Sequence, residues 1–486
     1  MYMKKLKTPK VKAARKKVAK SKINAKTPSF KELNILVKYY DNGRVEDAEK
    51  LAKRMTKEFP NHKLGWHVLG LTMGKSGRLE EALIATQNIL RIDPYDVSAY
   101  SNLGIILEGL GRPEEAEKTL RQAIALKPNA VEAYVSLGSL LRELGRLEEA
   151  EASLKQALLL NPKHALAHNI LGNILRELGR LKEAEASYSQ ALVMEPDYVD
   201  AFNGLGTIFD KLDRIEEAEA SYRRAIILDP GHVECHVNLG HLLKKIGCLQ
   251  EAESSYRIAI NIKPDCEEAK HMLATLTGET THSAPRGYVE KLFDGYASDF
   301  DTSLVDQLEY DIPRVIANMV SKSHAAEGLG NVLDLGCGTG LVGQEVKQLC
   351  THLTGIDLSG SMLEFARRRH VYDELMHRDI LEYLSTEDLD FDYFISADVF
   401  VYVGDLSEVF RLIKSRNKSS GRLIFSTEHS EKDGYSLESS GRYSHSKTYI
   451  ESLCKQLDYR LTHFEKCKLR KDNNNFITGG IYSLDF

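Results

Sequence analysis

A period of 34 residues runs through the N-terminal half of the chain, and it constrains the fold more than any other feature of the sequence. Leu-Gly pairs, single alanines and Gly-Arg turns keep one register with a series of prolines. A fixed period of this length is typical of repeat proteins, in which each unit buries its apolar face only against its neighbours. The seven prolines, each 34 residues after the last, are Pro60, Pro94, Pro128, Pro162, Pro196, Pro230 and Pro264.

The residues within one period predict two short amphipathic helices. Small residues such as Gly104 and Ala116 allow two helices to approach closely, the turn glycine Gly111 accepts a positive φ, and proline ends the second helix. This pattern resembles the tetratricopeptide repeat, which implies a superhelical all-α solenoid that binds an extended peptide or a partner protein in its groove. We expect seven units over 27–264, a capping helix over 265–277 and a polar linker over 278–287.

Asparagines recur on the side of the units that is predicted to line the groove. Asn102 and Asn238 share one phase of the repeat, and Asn169 and Asn203 share the neighbouring phase. Their amides can hold a peptide backbone through paired donor and acceptor groups. The alternative is that they are ordinary polar surface residues.

Charge and cysteine usage indicate where the chain resides. Residues 1–26 hold eleven lysines and arginines and no acidic residue, although the whole chain has a net charge of -5. We expect a disordered basic tail, with contact to nucleic acid or anionic lipid as the alternative. The seven cysteines form no CxxC pair, and no secretory segment precedes them, so we predict reduced thiols in a cytoplasmic protein without a metal. No apolar run approaches the length of about 18 residues that a membrane span needs.

In the C-terminal half, strand-like segments alternate with segments of helical period. This alternation predicts an α/β domain over 288–486 with a seven-stranded, mostly parallel sheet flanked by helices. The predicted strands are 331–335, 352–357, 374–377, 391–396, 421–427, 459–465 and 475–483.

A glycine-rich turn follows the first predicted strand. The segment 331–340 reads NVLDLGCGTG. The residues from Gly338 to Gly343 also match the dinucleotide pattern GxGxxG. That pattern alone is weak. Asp334 stands just before the first glycine, where it repels a pyrophosphate but receives hydrogen bonds from a ligand ammonium through water. With Asp357 and Asp379 it forms a set of carboxylates that suits an amino group, a ribose diol and an adenine amine, which are the polar groups of S-adenosylmethionine.

This arrangement resembles the class I S-adenosylmethionine-dependent methyltransferases, whose sheet is Rossmann-like. The resemblance implies that Asp357 binds both ribose hydroxyls, that Leu358 and Met362 pack near the nucleoside, that Asp379 and Ile380 contact adenine, and that Asp398 faces the methyl donor or the acceptor. The alternative is that Asp357 and Asp379 are helix N-caps and Asp398 is a turn residue. The cofactor-binding residues implied are Asp334, Gly336, Cys337, Gly338, Gly340, Asp357, Leu358, Met362, Asp379, Ile380, Asp398 and Tyr296.

Three further segments narrow the resemblance. The stretches 287–301 (GYVEKLFDGYASDFD), 398–402 (DVFVY) and 441–446 (GRYSHS) look like those of predicted bacterial methyltransferases that carry tetratricopeptide repeats. The resemblance implies that a helix like 288–300 lies over the cofactor pocket, with Tyr296 and Phe300 covering the donor. The alternative is that these aromatic side chains only dock the helix onto the sheet.

Methyl transfer from a sulfonium is an in-line displacement, so the protein mainly aligns the reactants. A general base helps only when the acceptor must lose a proton, and the candidates at the predicted sheet rim are Tyr402, His429, Tyr443 and His445. Three hypotheses stay open for the function. The enzyme methylates a protein or peptide recruited by the repeats, or it methylates a small molecule, or the chain is an interaction scaffold with a non-catalytic, cofactor-binding domain.

Overall fold

The computed structural model describes residues 27–297, 300–324, 328–472 and 475–486. The chain forms two compact units, Met1–Leu228 and Asp229–Phe486. The predicted basic tail, 1–26, lies outside the described residues, and the predicted domain boundaries stay predictions. Among the residues described, no helix combines the length and the apolar character that a membrane span requires.

The first unit consists of twelve helices that follow one another in pairs with the 34-residue period. In every pair the second helix ends two residues before one of the prolines of the period, as proline chemistry predicts. The helices are α1 (Phe30–Asp41), α2 (Val45–Glu58), α3 (Lys63–Lys75), α4 (Leu79–Ile92), α5 (Val97–Gly109), α6 (Pro113–Leu126), α7 (Val131–Glu143), α8 (Leu147–Leu160), α9 (Ala165–Glu177), α10 (Leu181–Met194), α11 (Val199–Lys211) and α12 (Ile215–Leu228).

Glycine allows the two helices of a pair to pack closely, because a larger residue at its position would collide with the partner helix. A methyl group on Gly104 would lie 2.5 Å from Leu120, and one on Gly172 would lie 2.7 Å from the ring of Tyr188. The expected role of the Leu-Gly pairs in close helix approach is thereby confirmed. Tyr188 itself is fully buried, so the space that glycine leaves is filled by a large side chain of the partner helix.

The turn inside each pair has the expected left-handed backbone. Gly77 and Gly179 have φ of 72° and 73°, and Asp213 takes the same conformation with φ of 56° where glycine is absent. The arginine that follows the turn reaches back to the preceding pair: Arg180 contacts Glu151 at 2.8 Å. Such half-exposed ion pairs contribute little one by one, but this one recurs as Arg146–Glu117 and Arg214–Glu185 and links successive pairs.

The second unit begins with the last helices of the periodic segment and continues into a nine-stranded sheet with helices. Two more strands are present than the seven predicted from the sequence. The helices are α13 (Val233–Lys245), α14 (Leu249–Ile262), α15 (Glu267–Thr277), α16 (Arg286–Tyr296), α17 (Ile312–His324), α18 (Leu341–Val346), α19 (Gly360–Arg369), α20 (Ile380–Thr386), α21 (Ser407–Arg416) and α22 (Lys447–Leu457). The strands are β1 (Asn331–Leu335), β2 (His352–Asp357), β3 (Glu374–His377), β4 (Tyr393–Ser396), β5 (Arg422–Ser430), β6 (Tyr435–Leu437), β7 (Tyr443–Ser446), β8 (Arg460–Asp472) and β9 (Asn475–Asp485).

The sheet is mostly parallel, with strand order β3-β2-β1-β4-β5 and an antiparallel β8–β9 pair joined to β5 through β9. The two strands that the sequence did not predict, β6 and β7, pair with each other, and β7 extends the sheet from the last residues of β5. They are only three and four residues long, too short for an alternating apolar pattern to be recognised in the sequence. The α/β architecture is confirmed, but the predicted strand count was too low.

The order of the strands decides where a ligand can bind. β1 lies between β2 and β4, so the chain leaves β1 to one side and returns on the other. In open parallel sheets, ligands bind outside the carboxyl ends of the strands at such a reversal point. Two apolar clusters cover the faces of the sheet, and they contain Phe394 and Phe425 on one side and Val332 and Ile395 on the other.

The segment predicted as a polar linker is bonded to the rim of this sheet. The backbone N–H of Gly404 donates to the carbonyl of His282 at 2.8 Å, and Ala284 N–H donates to the carbonyl of Tyr402 at 2.9 Å. The Thr281 hydroxyl lies 2.5 Å from the Tyr443 hydroxyl. Backbone pairing of this kind fixes the segment on the β6–β7 side of the second unit, where small polar residues had suggested only a connection.

Candidate active site

A cavity of about 580 Å³ opens at the carboxyl ends of β1, β2, β3 and β4. Residues that directly follow these strands line it, among them Gly336, Leu358, Asp379 and Asp398. Helix α16 closes one side of the cavity with apolar and aromatic side chains. The cavity therefore stands at the reversal point of the sheet, where the topology predicts a ligand.

The glycine-rich turn lines the cavity with Gly336 and Gly338, whereas Gly340, also predicted to bind the cofactor, is not among the lining residues of the described ranges. Gly336, Gly338 and Gly340 have φ of 75°, 55° and 92°, a region that only glycine enters freely. A methyl group on Gly336 would lie 2.5 Å from Val399, whereas one on Gly338 would meet nothing within 4 Å. The turn therefore presents bare backbone to the cavity at Gly338, which is where a ligand approaches closely.

Asp357 ends β2 and lines the cavity. Its carboxylate accepts hydrogen bonds from the backbone N–H of Gly338 at 2.7 Å and from that of Ser359 at 2.8 Å. Burial raises the pKa of this carboxyl above its usual value, against the lowering effect of the two donors. Each oxygen keeps a lone pair beyond these bonds, so the group can accept from two neighbouring hydroxyls of a ligand.

Asp334 does not line the cavity. Its carboxylate is 1% exposed and accepts a hydrogen bond from the Tyr372 hydroxyl at 2.7 Å. Burial raises the pKa of this carboxyl to about 7. The proposed contact of Asp334 with a ligand ammonium is thus not supported by its position. A methyl group on Gly343 would lie 2.5 Å from the same tyrosine ring, so the third glycine of the apparent dinucleotide pattern makes room for Tyr372.

The residues predicted to contact the nucleoside are divided between cavity and core. Asp379 caps α20 by accepting from the backbone N–H of Glu382 at 3.0 Å, and it also lines the cavity with Ile380. The N-cap alternative is therefore correct for Asp379 without removing it from the site. Met362, in contrast, is only 1% exposed and is not among the described residues that line the cavity.

Cys337 lines the cavity but is buried, and burial raises the pKa of its thiol well above the usual value. It is therefore a neutral thiol at physiological pH. The seven cysteines are all free. In the described ranges, histidine, cysteine and carboxylate side chains form no group that could hold a metal ion.

Asp398 follows β4 in a left-handed conformation, with φ of 61°, and lines the cavity. One carboxylate oxygen pairs with Arg470, whose other arm contacts Glu428 at 2.5 Å. The second oxygen, Oδ1, is buried and has no hydrogen-bond partner among the residues described. A buried carboxylate oxygen without a partner is costly, and a ligand donor would satisfy it.

Arg442 and Tyr402 form the opposite wall. The Tyr402 hydroxyl accepts from the Nε–H of Arg442 at 3.4 Å, and both residues line the cavity. Phe293 of α16 packs edge-on against the Tyr402 ring with centroids 5.4 Å apart. Of the predicted proton acceptors, Tyr402 is therefore brought to the cavity.

The other predicted proton acceptors are held elsewhere. His445 is fully buried, donates to the carbonyl of Gly404 at 2.9 Å, and has a pKa lowered by burial to about 4. The His429 side chain is 4% exposed and packs against Phe464. Tyr443 is fully buried and bonded to Thr281. None of the three is among the lining residues in the described ranges, because β5 and β7 direct them into packed regions.

Helix α16 and the segment that begins at Phe300 each bond to a turn at the site. Asp294 accepts from the Ser359 hydroxyl at 2.5 Å, and the backbone N–H of the same serine donates to Asp357. Asp301, just after the helix, accepts from the Thr339 hydroxyl of the glycine turn at 2.5 Å. Tyr296 and Phe300 both line the cavity, although Tyr296 is 52% exposed. The predicted cover and the predicted docking therefore coexist in one element.

Sequence reasoning missed the charged cluster at the rim. Arg470 lies on β8 beyond the end of the strand predicted there, and Arg442 stands inside the segment 441–446 without being singled out. Glu428 lies one residue past the predicted strand 421–427 and belongs to β5. No local pattern marks these residues, because they meet only when β5, β8 and the β6–β7 hairpin pack together.

Family models match both halves of the chain. A methyltransferase domain matches residues 327–469, and tetratricopeptide repeats match residues 101–158, 140–197, 171–233 and 233–266. The fold and the cavity at the reversal point agree with these matches. The chain is a protein with tetratricopeptide repeats followed by a methyltransferase domain.

Individual relatives resemble parts of the chain. It is 27% identical over 142 residues to the malonyl-[acyl-carrier protein] O-methyltransferase of Bacillus cereus, which covers 29% of this chain and 52% of that protein. It is 31% identical over 110 residues to the ubiquinone biosynthesis O-methyltransferase of Pasteurella multocida, covering 20% of this chain and 45% of that protein. The chain thus matches about half the length of these relatives. Among solved structures it is similar to the APC/C hetero-tetramer Cut9–Hcn1, with a TM-score of 0.46, 17% identity, and coverage of 50% of this chain and 48% of that chain.

Proposed function

We propose that the second unit binds S-adenosylmethionine and transfers its methyl group to an oxygen atom of an acceptor. We also propose that the repeats bring a protein partner or the acceptor itself to the enzyme. The observation that carries the first part is the cavity at the reversal point, where a bare glycine turn meets the carboxylate of Asp357. The O-methyltransferase names of the relatives support oxygen as the acceptor atom.

The residues of the cavity fit S-adenosylmethionine in four respects. Asp357 offers carboxylate lone pairs to the ribose hydroxyls, and the open space at Gly338 admits the ligand next to the backbone. The unpartnered Oδ1 of Asp398 suits the amino group of the methionine part. Ile380 gives the adenine ring an apolar surface at the cavity wall.

When bound, S-adenosylmethionine supplies a methyl carbon that is already activated by the sulfonium. What remains for this chain is to align the acceptor and to exclude water. The aromatic side chains of α16 and Tyr402 stand at the cavity wall where water would otherwise enter. Positioning of the acceptor falls to the groups that face Asp398, among them Tyr402 and Arg442.

Two measurements on the full chain test this proposal. Calorimetric titration with S-adenosylmethionine should show one site per chain, and incubation of a cell extract with the protein and methyl-tritiated S-adenosylmethionine should label an acceptor. Absence of binding would overturn the proposed function altogether. Binding without any labelled acceptor would favour the alternative of an interaction scaffold with a non-catalytic, cofactor-binding domain.

The role of the repeats needs a separate test. Asn169 is 5% exposed, and its side-chain oxygen has no hydrogen-bond partner in the described structure, so an incoming peptide N–H can satisfy it. Asn169→Ala in the full chain should reduce labelling of the protein fraction while leaving affinity for S-adenosylmethionine unchanged. Asn129→Ala, at an exposed position of the same helical array, is the matched control. Equal labelling by both variants would contradict recruitment through this part of the repeats.

A further inference from the structure

The guanidinium of Arg442 is the cationic group of the cavity with the weakest contacts to the protein. Its Nε–H donates to the Tyr402 hydroxyl at 3.4 Å, and its Nη1 lies 3.9 Å from Glu428. Both distances are long for a guanidinium, whose bonds to anions normally fall near 2.8 Å. The side chain is 29% exposed and lines the cavity, so its paired N–H groups can receive a ligand.

The neighbouring arginine is already neutralised. Arg470 is 2% exposed and pairs with two carboxylates, Asp398 on one side and Glu428 on the other. Glu428 therefore gives its short contact to Arg470 and leaves Arg442 with a distant one. The four charges of this cluster cancel; both arginines line the cavity, and Arg442 is the one without a short contact to a carboxylate. An anion of the acceptor would meet both this guanidinium and the positive sulfonium of the methyl donor.

The described lining of the cavity offers neither an imidazole nor a thiolate as a base. No histidine is among the lining residues of the described ranges, and the thiol of Cys337 is held neutral by burial. Tyr402 lines the cavity, and Asp357, Asp379 and Asp398 each engage a carboxylate oxygen with a backbone N–H or with Arg470. An acceptor that must lose a proton needs a base within hydrogen-bond reach, whereas a carboxylate is already ionised at neutral pH.

Building on the proposed methyl transfer, we propose that Arg442 binds the carboxylate of the acceptor through its paired N–H groups, so that the product is a methyl ester. A guanidinium matches the two oxygens of a carboxylate in its geometry and leaves outward lone pairs for attack. One carboxylate oxygen forms a bond to the methyl carbon as the carbon–sulfur bond breaks. The electron pair of that bond goes to sulfur, which becomes a neutral thioether. The anionic acceptor becomes a neutral ester, and no proton moves.

The chemistry of the product gives a direct test. Methyl esters release volatile methanol on mild alkaline treatment, whereas methyl ethers and methylamines do not. The full chain is incubated with cell extract and methyl-tritiated S-adenosylmethionine, and the labelled material is treated with base. The expected result is release of most of the label as volatile methanol. Label that survives base would overturn the carboxylate assignment while leaving the proposed methyl transfer intact, and absence of any label would overturn both.

Substitution of Arg442 tests its part in binding. Arg442→Gln should raise the extract concentration needed for half-maximal labelling at least about tenfold, because a charge-assisted pair is lost. Affinity for S-adenosylmethionine and the thermal midpoint should stay as in the wild type, and Arg442→Lys should recover part of the loss through its charge. Arg411→Gln, at an exposed ion pair with Glu408, is the matched control. If Arg442→Gln gives base-labile label at the same half-maximal extract concentration as the wild type, Arg442 does not bind the acceptor carboxylate.

Discussion

The carboxylate of Asp357 should dominate the affinity for S-adenosylmethionine. Its two oxygens each accept one backbone hydrogen bond, from Gly338 and Ser359, and each keeps lone pairs beyond that bond. A vicinal diol donates one hydrogen bond to each oxygen, and a bond to a charged group contributes about 1.5 kcal/mol at the lower end of the usual range. Loss of both would cost about 3 kcal/mol, which corresponds to about 150-fold weaker binding.

Asp357→Asn is the sharpest substitution because it keeps the shape of the side chain and removes its charge. The amide also turns one N–H₂ group toward a backbone donor, so the variant is expected to lose the geometry of the pair of oxygens. Isothermal titration calorimetry with S-adenosylmethionine measures the affinity, and circular dichroism reports whether the fold is kept. Asp388→Asn, which alters an exposed carboxylate of the same unit, should bind like the wild type.

The reasoning fails under one clear outcome. If a folded Asp357→Asn protein binds S-adenosylmethionine within threefold of the wild-type affinity, the carboxylate does not hold the ribose. The interpretation of the strand end as a nucleoside site would then be wrong, even though the glycine turn and the cavity remain. Weakened binding in Asp388→Asn as well would point instead to a general effect of charge on the unit.

Three further predictions follow from packing and burial. Gly172→Ala should lower the free energy of unfolding in urea by about 2–3 kcal/mol, because its methyl group would lie 2.7 Å from the Tyr188 ring. Gly77→Ala is strained only by its φ of 72° and should lower it by about 1 kcal/mol. Equal losses in the two variants would refute the steric argument. Burial lowers the pKa of His445 from 6.5 to about 4, so the folded state binds fewer protons than the unfolded chain between these values and stability falls on acidification. The loss from pH 7 to pH 5 should be about 2 kcal/mol, and His445→Gln should show a flatter dependence in calorimetric melts at the two pH values. Arg470→Met should destabilise the second unit by about 3–5 kcal/mol in thermal unfolding, because two buried carboxylates lose their partner; a change below 1 kcal/mol would mean that they are neutral in the folded state.

Parts of the fold were predictable from short stretches of sequence. The close packing in each helix pair follows from Gly104 and Gly172, because a glycine opposite a large side chain is a local requirement that repeats with the period. The strands β1 and β2 and the turn at Gly336 also read directly from an apolar run ending in glycines. Asp357 and Asp379 were expected at the ligand site from the resemblance to class I methyltransferases, and both line the cavity at the carboxyl ends of their strands.

Other site residues could not be placed in this way. Asp334 and Met362 have the spacing of ligand-binding residues, but the direction of each side chain depends on what packs beside it. Tyr372 takes the carboxylate of Asp334, and burial removes Met362 from the cavity. The strands β6 and β7 are too short to be recognised as strands, so the sequence did not show that the hairpin brings Arg442 to the cavity.

The sequence by itself determined the periodic helical array and the parallel sheet with its glycine turn, because both depend on contacts between residues that are close in the chain or on the identity of a strand end. Only the tertiary structure decided which charges meet at the cavity. Asp398, Glu428, Arg442 and Arg470 come from four separate elements, and their pairing follows from how β5, β8 and the β6–β7 hairpin pack. Burial then sets the strength of each contact. Arg470 is buried and neutralised by two carboxylates, whereas the more exposed Arg442 has no short contact to a carboxylate.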